Sequence, residues 1–121
     1  MTSIILPNTV TSIGKMAFCY CYKLTSVTVP SSVTSIGLYA FDSEGIKSIV
    51  VEEGNTVYDS RDNCNAIIET ATNTLIFGCE NTVIPSTVTT IGKGAFEECL
   101  GLTTIIIPAS VTTIGQTAFL F

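Results

Sequence analysis

The chain has 121 residues, of which 46% are hydrophobic and 12% charged, and its net charge is −5. Its aliphatic and phenylalanine runs, such as IIL, IVV and AFLF, cover only three or four positions, whereas a membrane-spanning helix needs roughly 20. We therefore predict no direct membrane insertion. All ten acidic residues lie between Asp42 and Glu98 and no basic stripe exists, which argues against nucleic acid as a partner.

One eleven-residue pattern occurs four times along the chain. The copies are NTVTSIGKMAF at 8–18, SSVTSIGLYAF at 31–41, STVTTIGKGAF at 86–96 and ASVTTIGQTAF at 109–119. Gly14 and Gly37 are 23 positions apart, and so are Gly92 and Gly115. A fixed period in the low twenties is typical of a solenoid, in which each coil buries its apolar face against the next coil.

A full unit covers residues 24–45, and its parts predict one coil. LTSVTV predicts a short strand with Leu24, Val27 and Val29 pointing inward, and Pro30 ends this strand because it cannot donate to a ladder. SVTSI predicts a second extended segment with its valine and isoleucine inward. Gly37 marks a corner where a Cβ would be costly or a left-handed φ is needed, and LYAF predicts a short helical turn. The phenylalanines of successive turns are expected to stack as one column: Phe18, Phe41, Phe96 and Phe119.

The regular period is interrupted once. Gly37 and Gly92 are 55 positions apart, which is 32 more than one period. Within this insertion, at about 53–82, AIIE and TLIF flank the polar stretch TATN and predict a β-hairpin. We expect the insertion to lie between coils or to project from one edge. The chain is predicted to be a single solenoid domain with repeats at about 1–23, 24–45, 46–52, 83–101 and 102–121, the insertion following the third.

The ends of the chain follow the repeat. MTSI at the start matches LTSV at 24–27, and the chain stops just after an AF pair, so we expect it to be part of a longer protein. Solenoids need polar caps, and neither end has one. Phe119 and Phe121 are therefore expected to lie near an open apolar end, which predicts end-to-end or edge-to-edge self-association of this chain.

The repeat pattern L-x-x-I-x-I-P-x-x-V-T-x-I-G-x-x-A-F-x-x-C resembles the BspA-like leucine-rich repeats of bacterial surface proteins. The stretches that carry the resemblance are LTSVTVPSSVTSIGLYAF and IGKGAFEECLGLTTIIIPASVTTIG, and YDSRDNCNAIIETATNTLI is also similar to a segment of some members. The resemblance implies a right-handed leucine-rich-repeat solenoid of about four to five β-rich, parallel-strand coils with short helical turns. One β-hairpin insertion would interrupt it.

The same resemblance implies a function. It points to a non-enzymatic protein-recognition module of a bacterial cell-surface or secreted protein, which adheres to host extracellular matrix proteins or to other cells. Two alternatives stay open, namely a structural spacer within a surface protein and a carbohydrate-binding or hydrolytic surface component. Four tyrosines are candidates for a sugar platform, although tyrosines at coil corners more often pack half-buried: Tyr20, Tyr22, Tyr39 and Tyr58.

The residue content argues against catalysis. The chain has no histidine, so Ser-His-Asp and Cys-His mechanisms lose their usual base, and histidine-containing zinc sites are excluded. The adjacent pairs Glu52/Glu53 and Glu97/Glu98 diverge on extended or helical backbone, so neither pair converges on one bond. We predict no catalytic residue, no cofactor and no metal site.

The five cysteines and the loop 59–65 each allow more than one interpretation. Cys21 and Cys99 occupy the same repeat position, three residues after a phenylalanine, which favours buried, reduced thiols. One disulfide, with Cys64 and Cys79 as the favoured pair, and a metal site are the alternatives. The loop DSRDNCN at 59–65 clusters carboxylate and amide oxygens, as a calcium site would, but such clusters more often hydrogen-bond their own backbone.

A candidate partner-facing surface follows from strand alternation. The outward positions of the first strand in successive coils are uncharged and short, and they predict two ladders on one sheet face. A partner could approach the backbone of such a face closely, although β-branched residues are also expected there for strand propensity alone. The first ladder contains Ser3, Ser26, Ser48 and Thr104, and the second contains Ile5, Thr28, Val50 and Ile106.

Overall fold

The computed structural model describes residues 3–19, 21, 23–41 and 44–120. These residues form a β-solenoid of about five coils with very little helix, which confirms the predicted fold class. The strands are β1 (Ser3–Ile5), β2 (Ser12–Ile13), β3 (Ser26–Val29), β4 (Ser35–Ile36), β5 (Ser48–Val51), β6 (Tyr58–Asp59), β7 (Ala66–Glu69), β8 (Thr74–Gly78), β9 (Thr90–Ile91) and β10 (Thr113–Ile114). A short 3-10 helix spans Arg61–Asn63. We number the coils 1 to 5, at residues 3–23, 24–45, 46–78, 79–101 and 102–120.

The first strands of coils 1 to 3 form a parallel sheet in the order β1-β3-β5. Ser3, Ser26 and Ser48 are aligned in register across the sheet. Val27 and Ile49, one position further along, are each 1% exposed. Because neighbouring residues of a strand point to opposite faces, the aliphatic residues fill the core and the serines lie on the other face.

The second extended segments form another row. β2 pairs in parallel with β4, and β9 pairs in parallel with β10. β7 and β8 pair antiparallel, which confirms the predicted hairpin. β8 also pairs in parallel with β9, with Leu75 opposite Ile91. β8 therefore takes the second-strand position of coil 3, and the insertion lies between coils rather than projecting from an edge.

Two hydrophobic clusters fill the solenoid, one on each side of the insertion. Leu24 and Ile49 belong to the first cluster, and Phe96 belongs to the second. The hairpin contributes to both, because Ile67 packs in the first cluster and Ile68 in the second, each with 0% exposure. Burial of one such side chain contributes roughly 1.5–3 kcal/mol. One strand thus joins two halves of the core, since its successive side chains point to opposite faces.

The phenylalanines stack in two groups rather than in the single predicted column, and the first group contains one additional ring. Phe18 stacks on Phe41 with ring centroids 5.4 Å apart, and Phe96 stacks on Phe119 at 5.1 Å. Phe77 of β8 lies tilted against Phe41, also at 5.4 Å. The hairpin therefore supplies the ring of coil 3, which the repeat pattern alone does not predict.

The corners are tight turns where short helical turns are predicted. The N–H groups of Ala17, Ala95 and Ala118 each donate to the carbonyl of the glycine three residues earlier, at 3.1–3.3 Å. The second residue after each repeat glycine has a positive φ of 58–66° in every coil that has this corner. These residues are Met16, Tyr39, Gly94 and Thr117. The left-handed position therefore follows the repeat glycine and accepts ordinary side chains.

Two of the four repeat glycines, Gly37 and Gly115, are required for close packing of the coils. A Cβ on Gly37 would lie 2.7 Å from the Cα of Lys15, and a Cβ on Gly115 would lie 2.9 Å from the Cα of Lys93. Such contacts are too short for any side chain. Of the two reasons that the sequence left open at Gly37, close approach of neighbouring backbones is the one observed.

Candidate binding surface

The structure brings six of the eight predicted ladder residues onto one sheet face. Ser3, Ser26 and Ser48 are neighbours in register, and two positions further Ile5, Thr28 and Val50 are neighbours in register. All six point away from the core, as the alternation of each strand requires.

The face carries unusual apolar exposure for a solvated sheet. Ile5 is 88% exposed and Val50 is 47% exposed, and Thr28 between them is half-buried. No charged side chain occupies any of the ladder positions. Exposed aliphatic side chains on a sheet face, next to hydroxyl groups, are more typical of a contact surface than of a surface that only meets water.

The last two predicted residues lie apart from this sheet. Thr104 and Ile106 belong to the segment 102–108, for which the structure shows no strand. Both are exposed, Ile106 by 83%. Coil 4 separates them from β5 and contributes Val83, which is 73% exposed. Sequence reasoning missed Val83, although the alignment of TVIP at 82–85 with VTVP at 27–30 places it in the slot of Thr28.

At the free edge of β5, side chains of the insertion accept the backbone hydrogen bonds that another strand would otherwise accept. Ile49 N–H donates to Asn65 Oδ1 at 3.4 Å, and Val51 N–H donates to Ser60 Oγ at 2.9 Å. On the far side of the same loop, Val83 N–H donates to the Cys64 carbonyl at 3.0 Å. The sheet face therefore stops being regular at β5, because side-chain caps replace the backbone ladder there.

Tyr58 is a core residue, contrary to the half-buried corner position predicted for it. It is 6% exposed, and its hydroxyl oxygen accepts a hydrogen bond from Ile36 N–H at 3.0 Å. Burial raises the pKa of this phenol, so the group stays protonated. Tyr39 is half-buried as predicted, and Tyr20 and Tyr22 lie outside the described residues. Tyr58 is therefore unavailable for a sugar platform.

In the loop 59–65, the carboxylate of Asp59 accepts hydrogen bonds from other groups of the protein. Arg61 Nε donates to Asp59 Oδ1 and Arg61 Nη2 donates to Asp59 Oδ2, both at 2.7 Å. Burial alone would raise the pKa of Asp59, but hydrogen bonds from Arg61 and Thr70 hold it below its usual value. Among the described residues no group of three His, Cys, Asp or Glu could hold a metal ion. The loop is thus a hydrogen-bonded turn in which Asp59 is fully engaged.

All five cysteines are free thiols. Cys99 is buried as predicted, whereas Cys21 is half-buried, because its coil is the outermost one. Cys64 and Cys79 are both buried, and their sulfur atoms approach backbone carbonyls, Cys79 Sγ lying 3.4 Å from the Asn65 carbonyl oxygen. Burial raises the pKa of Cys64 and of Cys99 to about 11.

Both a family model and solved structures match this chain. Residues 1–120 match the family model described as the BspA-type leucine-rich repeat region, in six copies. A leucine-rich repeat protein from Eubacterium ventriosum is similar in structure, with a TM-score of 0.76 and 27% identity over 98% of this chain and 33% of that chain. A leucine-rich cell surface protein from Faecalibacterium prausnitzii has a TM-score of 0.67 and 26% identity, over 98% of this chain and 38% of that one.

The fold alone is shared with a third solved protein, the pneumococcal vaccine antigen PcpA, at a TM-score of 0.72 and 21% identity, over 98% of this chain and 36% of the antigen. The chain thus spans about one third of the length of each solved protein that it resembles. No curated protein gives a significant match. Across the described ranges, no helix has the length and apolar character needed to cross a membrane.

Proposed function

Because this chain belongs to the family of BspA-type leucine-rich repeats, we propose that it is a non-enzymatic module that binds another protein through the outward face of β1, β3 and β5. The observation that carries the proposal is the exposure of aliphatic side chains there. Ile5 and Val50 lie in register on either side of Thr28. A partner that covered them would remove apolar surface from water at roughly 25 cal/mol per Å².

The geometry of the face suits a protein partner. Its side chains are short and uncharged, so another backbone or a flat surface can approach over the width of three strands. The same aliphatic exposure continues on coils 4 and 5 at Val83 and Ile106. Together with these two coils, the face would approach the size that specific protein interfaces need.

We propose that the protein lies on the bacterial surface or outside the cell, and that it takes part in adhesion to host matrix proteins or to other cells. Support comes from similarity to a solved protein described as a cell surface protein. The assignment of a host target rests on the family resemblance, and the binding experiment below tests it separately from the location of the site.

The experiment measures binding of the purified chain to immobilised host matrix proteins and to glycans. We expect a matrix protein to bind, and we expect Thr28→Lys combined with Ile106→Lys to weaken that binding at least tenfold while circular dichroism stays unchanged. Glu69→Lys, on the hairpin, is the charge-matched control and should bind normally. Normal binding by the folded double variant would remove the site from this face. Absence of binding by the unmodified chain to every ligand would favour the spacer function, and binding to glycans alone would favour the carbohydrate alternative.

A further inference from the structure

Coil 3 has a shorter corner than the other coils. The hydrogen bonds from Gly92 N–H to the Leu75 carbonyl and from Gly115 N–H to the Ile91 carbonyl, at 2.8 and 2.7 Å, show that Leu75 and Ile91 hold equivalent positions. Gly78 N–H donates to the Ala95 carbonyl at 2.9 Å, as Phe96 N–H does to the Ala118 carbonyl at 2.8 Å. Gly78 therefore stands at the phenylalanine position. The step from isoleucine to phenylalanine takes five residues in other coils, and here it takes only three.

Coil 3 lacks two corner residues. In the other coils, these two residues form a backbone hydrogen bond, or rung, between neighbouring coils. Met16 N–H donates to the Leu38 carbonyl at 3.3 Å, and Gly94 N–H donates to the Gln116 carbonyl at 3.0 Å. The equivalent groups that face coil 3 are Tyr39 N–H and the Lys93 carbonyl. Neither has a hydrogen-bond partner among the residues that the structure describes. A backbone donor of coil 2 and a backbone acceptor of coil 4 thus lack the partner that a full corner of coil 3 would supply. The ring of Tyr39 reaches across this place to coil 4, because its Cε1 would lie 2.6 Å from a Cβ on Gly94.

An open cleft occupies this gap, with a volume of about 740 Å³. Its apolar floor consists of Ile36, Phe41, Ile76 and Phe77. Ile36 is half-buried, although the repeat pattern predicts it to be inward, because the short corner of coil 3 does not cover it. The floor is therefore suited to an aliphatic or aromatic side chain.

The rim of the cleft is acidic. Among the described residues that line it, four are glutamates and one, Lys93, is a lysine. The glutamates are Glu44, Glu69, Glu97 and Glu98, which come from coil 2, the hairpin and coil 4. Carboxylates that converge from three parts of the chain create a negative potential that attracts a cationic group.

We propose that this cleft is a second binding site, separate from the sheet face, and that it takes an extended, basic peptide segment of a partner protein. The peptide displaces the Tyr39 ring from Gly94, and its backbone then accepts from Tyr39 N–H and donates to the Lys93 carbonyl, which restores the absent rung. An apolar side chain of the peptide packs on Phe41 and Phe77. A lysine or arginine of the peptide lies beside the glutamates of the rim.

The chain itself provides a suitable probe. The pentapeptide GKMAF, identical to residues 14–18, makes the corresponding rung between coils 1 and 2. We expect fluorescently labelled GKMAF to bind the intact chain, with an affinity that falls as salt is added. The matched peptide GEMAF should bind about tenfold more weakly, because its carboxylate replaces the ammonium group.

Variants locate the site. Glu98→Lys should weaken GKMAF binding about fivefold to tenfold, and Ile76→Trp should abolish it by filling the floor. Glu53→Lys, an exposed position outside the cleft, is the charge-matched control and should bind as the unmodified chain does. The sheet-face variant Thr28→Lys with Ile106→Lys should also bind GKMAF normally, which separates this proposal from the proposed adhesion surface.

The chain also contains an internal reporter. Cys19 lines the cleft and Cys21 does not, so GKMAF should slow alkylation of Cys19 and leave the rate at Cys21 unchanged. Equal affinity for GKMAF and GEMAF, unchanged binding by a folded Ile76→Trp variant, or absence of GKMAF binding would each overturn the proposal. Retention of the native circular dichroism spectrum by each variant excludes unfolding as the cause of a loss.

Discussion

The ring of Phe96 lies directly against the backbone of Gly78, in the space that a side chain at Gly78 would occupy. A Cβ on Gly78 would be 2.5 Å from Phe96 Cζ and 2.8 Å from Phe96 Cδ1. Gly78 has no positive φ, so the ring, and not the backbone conformation, requires glycine here. This contact joins the hairpin to the second hydrophobic cluster.

Gly78→Ala should therefore destabilise the protein by about 1–3 kcal/mol, because the fully buried Phe96 ring must move. Gly14→Ala is the matched control, since a Cβ there would have no neighbour within 4 Å, and its stability should be unchanged or slightly raised. Urea unfolding of both variants measures the difference. Equal midpoints would show that the hairpin does not pack on Phe96 as described.

The phenylalanine column gives a second prediction. Phe41 is 4% exposed and contacts rings on both sides, whereas Phe119 lies in the last coil and is half-buried. Phe41→Ala should cost about 3–5 kcal/mol because it leaves a cavity within the stack. Phe119→Ala should cost clearly less. Thermal unfolding distinguishes them, and equal losses would argue against a continuous stack through coils 1 to 3.

Thiol reactivity tests the burial of the cysteines. Cys64, Cys79 and Cys99 are buried with raised pKa values, so little thiolate forms at neutral pH. In the native state we expect alkylation only at Cys19 and Cys21, with the other three reacting on unfolding. Mass spectrometry after a timed pulse of iodoacetamide reads each site. Fast native labelling of Cys99 would be inconsistent with its place in the second cluster.

Acid stability depends on the contact between Asp59 and Arg61. The pKa of Asp59 is lower in the folded state than in the unfolded state. The Asp59 carboxylate therefore contributes its full stabilisation at pH values above the unfolded-state pKa, and this stabilisation is lost as the pH falls through the folded-state pKa. Between about pH 5 and pH 2, the melting temperature should therefore fall less steeply for Asp59→Asn than for the unmodified chain. If the melting temperatures of the two proteins fell equally with pH, the Asp59 carboxylate would contribute nothing to stability.

Self-association tests the apolar edge of coil 5. Ile107, Ile114 and Leu120 are 41%, 50% and 53% exposed, and Phe121 of the predicted open end lies outside the described residues. Light scattering should show a mass that rises with protein concentration. Ile114→Lys combined with Leu120→Lys should shift the chain toward monomer, because buried lysine charges oppose pairing. A strict monomer at high concentration would contradict the prediction.

Much of the coil architecture was readable from the sequence, because a solenoid repeats local signals. The 23-residue period aligned the strands, and the alternation in LTSVTV placed Leu24, Val27 and Val29 in the core, where they are at most 1% exposed. AIIE and TLIF around a polar turn were enough to predict the hairpin. Each of these signals lies within a few neighbouring residues and depends on strand periodicity and turn chemistry.

The tertiary structure decided how the insertion joins the stack. No repeat partner in the sequence marks Leu75 and Gly78 as members of the coil 3 corner, and the burial of Tyr58 depends on its contact with Ile36 across 22 positions. The sequence also did not predict the positive φ at Met16, Tyr39 and Thr117, since none of these residue types favours a positive φ. These features arise from contacts between distant segments, where packing against a neighbouring coil outweighs local preference.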